Sequence, residues 1–181
     1  AVVALVKAQN VRLLLASPIL ILWLISPALV YVSGLPLAHR DTPLGTSERQ
    51  QFRQVARRTW RFFDELIGPA DHFLIPDNYQ EDRQDVIAHR TSPTNIGLQL
   101  LAMLAARDLG YLSYAGVLDR LEPTFDTLLR MPRYRGHFYN WYDTQTLVPL
   151  VPAYISTVDS GNLAGYLLTL RSGLASLAES A

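Results

Sequence analysis

"SPTNIGLQLLAMLAARDLGYLSYAGVLDRLEPTFDTLLR", residues 92–130, decides the fold. Ser92 is a good helix N-cap, and Pro93 suits the first helical position, where no backbone donor is needed. The apolar helix they open stops at Gly110, a residue that tolerates the left-handed cap. Only Gly-Tyr-Leu-Ser (110–113) separates it from a second helix over 114–130, so the two are antiparallel neighbours. Pro123 is expected to kink or divide that second helix, because it removes a backbone donor and crowds the preceding turn.

On either side lie long polar stretches without a sustained period, 68–92 and 131–160. An amphipathic helix is expected over 47–67, opened by the capping-box pair Ser47 and Gln50. Phe52, Val55, Ala56, Phe62, Phe63 and Leu66 form its apolar stripe. Arg53, Arg57, Arg58 and Arg61 fall on its other faces, as a solvated surface or a contact to anionic lipid. Asp159 or Ser160 is expected to cap a last helix over 161–178. Connections thus alternate long, short, long, which in antiparallel helices brings both long loops to one end. Long ordered loops in a compact domain usually carry function, so that rim is the expected working face of an all-α array.

The N-terminal third has a different character. From Leu13 to Ala38 no charged residue occurs, while Lys7 and Arg12 precede the stretch and His39 and Arg40 follow it. About 20 apolar residues suffice to cross a bilayer as a helix, and the apolar region of a cleaved signal is shorter. Pro18 and Pro27 are better tolerated in a membrane helix than in a soluble one. The expected organisation is a membrane segment over 1–40, a linker over 41–46 ("DTPLGT") and a helical domain over 47–181. Basic residues on both flanks leave the orientation open. A start without Met and an end inside a helical pattern suggest a piece of a longer protein.

Composition narrows the chemistry. The 181 residues carry zero formal net charge, which gives no case for nucleic acid as a partner. There is no Cys, so neither a thiol nucleophile nor a Cys-ligated zinc is available. Four His at 39, 72, 89 and 137 have no short-range pairing, and no metal is expected.

What the rim offers is carboxylates, amides, one arginine and aromatic faces. "RYRGHFYNWYDTQT" (133–146) places four aromatic rings within Phe138 to Tyr142. Sugar rings stack on Trp and Tyr, and their hydroxyls take paired hydrogen bonds from Asp, Asn, Arg and His. Asp77, Glu81, Asp82, Asp143 and Asp159 are the carboxylates from which glycoside chemistry would draw. Each has a plainer reading. Asp77-Asn78 after Pro76 forms turns, Asp159 caps helices, and Arg90 could neutralise Glu81 or Asp82. Trp141 and the tyrosines could fill core, and His137 could be structural.

The motifs "PDNYQED" (76–82), "VIAHRTSPTNIGLQLLAMLAARDLGY" (86–111) and "RGHFYNWYDTQTLVPLVPAYISTVDSGNLAGYL" (135–167) closely resemble the glucoamylase-like domain of cyclic β-1,2-glucan synthases. "LWLISPALVYVSGLP" and "ARRTWRFFDELI" look like the last membrane segment and the lead-in helix of those proteins. The resemblance implies a multidomain enzyme of the bacterial inner membrane that polymerises glucose from UDP-glucose and closes the ring by transglycosylation. It implies an (α/α)6 barrel, of which this chain would supply the leading part, followed by the remainder of the same polypeptide. Catalytic glutamates are expected beyond Ala181, leaving Asp77, Glu81 and Asp82 as weak candidates; no cofactor is expected in this segment. Cleft-wall residues carry over as Arg90, Asn95, His137, Tyr139, Asn140, Trp141, Tyr142, Asp143, Asp159 and Asn162, with a β-1,2-glucan chain as ligand and a lipid bilayer as second partner. The alternative is a membrane-anchored glucan-binding protein without catalysis.

Overall fold

The computed structural model describes residues 2–35, 43–82, 84 and 86–179, and for 2–14 the backbone alone. The charged flanks of the apolar stretch and the first two residues of the expected linker fall outside the described side chains. The chain forms two compact units, Ala1–Gly45 and Thr46–Ala181.

The first unit is one helix, α1 (Val2–Gly34), which continues through Pro18 and Pro27. At about 1.5 Å per residue it is about 50 Å long. Within it Leu15–Ser33 has a mean hydropathy of 2.1 and no burial, so it is long and apolar enough to cross a membrane.

The second unit is helical: α2 (Thr46–Leu66), α3 (Pro93–Asp108), α4 (Tyr114–Arg130) and α5 (Thr157–Glu179). Helix α3 is central and packs against the other three. Its ends follow the local chemistry. Ser92 Oγ accepts from Asn95 N at the start. At the finish Gly110 N donates to Arg107 O and Tyr111 N to Ala106 O, with Gly110 at φ +75°. That double closure is the Schellman pattern, and it turns the chain sharply into α4. Ile96, Leu100, Met103 and Ala106 of α3 form the core with Trp60 and with Val117, Leu121 and Leu128 of α4.

Where α3 meets α5, glycine sets the spacing. A Cβ on Gly97 would lie 2.9 Å from Tyr166 Cγ and closer still to Cδ2. One on Gly173 would lie 3.0 Å from Leu104 Cδ1, again closer to Cδ2.

Four expectations need correction. Helix α4 runs unbroken through Pro123. Helix α2 begins at Thr46, so Ser47 lies inside the first turn instead of capping it. Helix α5 begins at Thr157 because Ser156 is the cap: Ser156 Oγ accepts from Asp159 N at 3.1 Å and donates to Asp159 Oδ2. This reciprocal pair places Asp159 in the first turn and starts the helix four residues ahead of the expected position. Lastly, Phe52 and Val55 are 62% and 60% exposed, whereas Trp60, omitted from the expected stripe, is buried. The first half of α2 extends past the point where the 109–113 turn meets it, near Arg53 and Arg57, so no described residue of the unit covers those side chains.

The long loops are ordered by buried polar groups of α3 and α4. His72 and Phe73 adopt left-handed φ of 52° and 59°. Their carbonyls are held there: Thr127 Oγ1 donates to His72 O, and Gln99 Nε2 and Thr124 Oγ1 donate to Phe73 O. Gln99 Oε1 also accepts from Ile75 N. Two short ladders complete the loops, an addition to the all-α expectation. Strand β1 (Arg90–Thr91) pairs antiparallel with β4 (Tyr142–Asp143), and β2 (Arg133–Tyr134) with β3 (His137–Phe138). The second ladder closes through Arg135 and Gly136, both at positive φ, as a two-residue hairpin turn requires.

Candidate functional site

The β1–β4 ladder joins the two long loops at one end of the helices, as the alternating loop lengths implied. Its register sorts the side chains. Arg90 stands opposite Asp143 and Thr91 opposite Tyr142. Because neighbours along a strand point to opposite faces, Arg90, Trp141 and Asp143 share the outer face, while Thr91, Tyr142 and Thr144 share the inner one. Burial agrees: the three inner residues have no exposure.

The inner face locks the loops together. Asp71 is buried, and its Oδ1 accepts from His89 Nδ1 at 2.7 Å and from Thr144 Oγ1. His72 Nδ1 lies 2.9 Å from Thr144 O. Tyr142 donates its hydroxyl to Pro132 O and accepts from Tyr139 N, both at 2.7 Å. Burial pushes its phenol up to about 12. Tyr142 is therefore corrected from a cleft residue to a core residue, because its ring is enclosed and its hydroxyl is used by the backbone. Tyr139 is half-buried and meets Tyr142 edge-on.

On the outer face, Arg90 sits over the Trp141 ring, 5.0 Å from its centroid. Its Nε and Nη2 donate to Asp77 Oδ2 at 3.1 and 2.9 Å. Asp77 also accepts from Asn78 Nδ2 on Oδ2 and from Asn95 Nδ2 on Oδ1. A carboxylate so fully hydrogen-bonded anchors Arg90 and Asn95; it is not placed to act as an acid. Arg90 thus pairs with Asp77 and not with Glu81 or Asp82, which are exposed.

The second cluster centres on Asn140, which is 6% exposed. Its nitrogen donates to Asp159 Oδ2 at 3.0 Å, and its oxygen accepts from Trp141 Nε1 and from the Tyr154 hydroxyl, both at 2.7 Å. This amide orientation pairs every donor with an acceptor. Asp159 Oδ1 accepts from Thr94 Oγ1 at 2.6 Å, and Asn162 Nδ2 donates to the same hydroxyl at 3.1 Å. The first turns of α3 and α5 are thereby tied to the aromatic loop. Asn140 and Asp159 hold Trp141 and Tyr154 from behind.

Asp143 serves its own turn. Oδ1 accepts from Gln145 N, Thr146 N and Thr146 Oγ1. Burial alone would raise its carboxyl, but those bonds and nearby His89 hold it below the ordinary value of 3.8. A depressed carboxyl stabilises the fold fully above its ordinary range and loses that contribution as pH falls through the lowered value. The 143–147 turn is thus expected to loosen only below about pH 4, seen as faster amide exchange at Gln145 and Thr146. Unchanged protection there at still lower pH would contradict this role. His137 is exposed on the β2–β3 hairpin, and among the described residues no side-chain hydrogen bond ties it to either cluster.

Sequence reasoning missed Tyr154, Thr94, Asp71 and His89. Tyr154 alone carried a signal, as an aromatic between Pro152 and the α5 cap.

No protein-family model matches the chain. It is 44% identical over 156 residues to the cyclic β-(1,2)-glucan synthase NdvB of Rhizobium meliloti (strain 1021), a match covering 86% of this chain. The chain spans only 6% of that relative. Among solved structures it is similar to a glucoamylase-like protein of Bacteroides fragilis NCTC 9343, with TM-score 0.60 and 22% identity over 72% of this chain and 32% of the other. It is also similar to the endo-β-1,2-glucanase of Chitinophaga pinensis, with TM-score 0.58 and 19% identity over 66% of this chain and 30% of that one. The fold is that of the leading part of a glucoamylase-like (α/α) barrel. The resemblance to a cyclic β-1,2-glucan synthase holds across most of this chain.

Proposed function

We propose that this chain forms part of the glucan-binding wall of the glucoamylase-like module in a membrane-bound cyclic β-1,2-glucan synthase. The observation that carries the reading is the outer face of the β1–β4 ladder, where Arg90 lies over Trp141 at 5.0 Å. A flat ring held by a buried amide and flanked by a fixed guanidinium suits the C–H face and hydroxyls of a glucose unit. Arg90, Asn95, Trp141 and Asp143 would meet the sugar, and Asn140, Asp159 and Asn162 would set their positions. The similarity to NdvB and to an endo-β-1,2-glucanase supports β-1,2-glucan as the ligand. Ring closure by transglycosylation, with UDP-glucose as the donor for chain growth, would belong to the larger enzyme. Titrating β-1,2-linked gluco-oligosaccharides into the chain tests the reading. Saturable binding that β-1,4-linked oligosaccharides do not reproduce is expected; no binding of either would overturn it.

The apolar Leu15–Ser33 stretch supports an anchor in the bacterial inner membrane. The intact chain is expected to float with vesicles after an alkaline wash, and removal of residues 1–40 to release it. An intact chain that stays soluble without detergent would overturn the spanning reading.

A further inference from the structure

We propose that Tyr154 is a second sugar platform beside Trp141, taking the glucose unit next to the one that Trp141 meets, so that the rim holds a glucan over at least two consecutive units. The proposal rests on the glucan-binding reading of the outer face and extends it to a residue which that reading does not use. Residues 148–154 run along the edge of β4 that β1 leaves free. Asp143 N donates to Val148 O at 3.0 Å, Leu150 N to Trp141 O at 2.9 Å and Asn140 N to Tyr154 O at 2.9 Å. The main chain therefore brings Tyr154 level with Asn140, next to Trp141. Side chains complete the arrangement. Trp141 Nε1 and the Tyr154 hydroxyl both donate to the Asn140 amide oxygen, each at 2.7 Å. Their polar tips are thus no more than twice that distance apart. The oxygen itself is fixed, because Asn140 is 6% exposed and its nitrogen is bound to Asp159. Each of its two lone pairs serves one ring.

With its hydroxyl bonded to the scaffold, what Tyr154 offers a ligand is its ring. The residue is 50% exposed, and among the described residues no aromatic ring or arginine lies over it. Tyr142 is the contrast: its hydroxyl is also bonded within the fold, but its ring has no exposure. A half-exposed ring held at its tip has already given up rotamer freedom, so less is lost when a sugar docks on it. The apolar C–H face of a glucose unit suits such a surface. Asp77, Arg90, Trp141, Asn140 and Tyr154 moreover form a continuous row, each bonded to or stacked on the next. A row of this kind fits a chain of sugars, whereas one ring fits a single unit.

The test is a calorimetric titration of the full chain with β-1,2-linked gluco-oligosaccharides of increasing length, from the disaccharide upward. Affinity is expected to rise about fivefold at the length that first reaches both rings. Tyr154→Ala should remove that rise. Tyr154→Phe, which keeps the ring and loses the hydroxyl, should retain most of it. A loosened loop would lower affinity for every length alike, so the ratio of long-chain to short-chain affinity isolates the platform. Should Tyr154→Ala melt early, Tyr154→Leu keeps apolar cover without a flat ring and is expected to lose the rise as well. A rise that persists without the ring would overturn the platform, and so would its complete loss in Tyr154→Phe. A parent chain that binds every length equally would overturn the two-unit site and leave the reading of Trp141 standing. A parent chain that binds none of them would overturn both.

Discussion

Trp141→Ala is expected to weaken binding of β-1,2-linked gluco-oligosaccharides by about 2 kcal/mol, roughly thirtyfold in Kd, while the chain stays folded. The two halves of that expectation come from the same geometry. Trp141 is half-buried on the outer face of the β1–β4 ladder, with Nε1 bonded to Asn140 and its ring under Arg90. Its indole is fixed at one edge and over one face, so little rotamer freedom remains to be lost when a sugar docks. Removing it leaves Arg90 still paired to Asp77 and Asn140 still paired to Asp159, so the scaffold keeps its main polar ties. Tyr142 is the comparator. It has no exposure, and Tyr142→Ala should cost about 3–5 kcal/mol of stability and be read as a failure to fold. Calorimetric titration with thermal melts on both variants separates the cases. If Trp141→Ala melted early while its folded fraction bound normally, Trp141 would be packing and the ligand face would lie elsewhere.

The contrast between these neighbours shows how far the sequence could be read. Five consecutive positions rich in aromatic rings pointed to a binding loop, and the loop is where it was expected. Which ring faces which way was not legible, because that depends on register with a strand about 50 residues earlier. Once Thr91 stands opposite Tyr142, strand alternation sends Tyr142 inward and Trp141 outward. Similarly, Asp159 was legible as an important carboxylate but not as the partner of Asn140 and Thr94, which come from different loops and helices. The helices were easier, because caps and turn residues act locally. Ser92, Pro93, Gly110 and the short Gly-Tyr-Leu-Ser connection marked the α3–α4 hairpin to within a residue or two. The start of α5 was missed by four residues because Ser156 bonds Asp159 reciprocally, whereas only Asp159 and Ser160 were weighed as caps. Pro123 misled in the other direction, since packing of α4 against α3 outweighs one lost backbone bond.

The glycines at the α3–α5 contact had no sequence signature, yet they set the geometry beneath the site. Gly97 lies one turn inside α3, on the side that meets Tyr166. A methyl group there would meet Tyr166 Cγ at 2.9 Å and Cδ2 at a shorter distance, both near the root of the ring rather than at a flexible tip. The ring cannot yield by a small rotation, so the helices must separate or Tyr166 must leave its place. Alanine in a helix is otherwise favoured over glycine by up to about 1 kcal/mol, which by itself predicts stabilisation. Overpacking costs about 1–3 kcal/mol, and here the contact is close enough for that cost to prevail. Gly97→Ala is therefore expected to lower the melting temperature despite the gain in helix propensity. Because Thr94 and Asn95 precede Gly97 in the same helix, its displacement should also disturb the bonds to Asp159 and Asp77 and weaken oligosaccharide binding. Tyr166→Ala in the same chain should recover much of the loss, since it removes the ring that the new methyl group meets. A single Gly97→Ala chain that melts higher than the parent would mean that α3 and α5 can part without cost, and that the rim does not depend on their close approach.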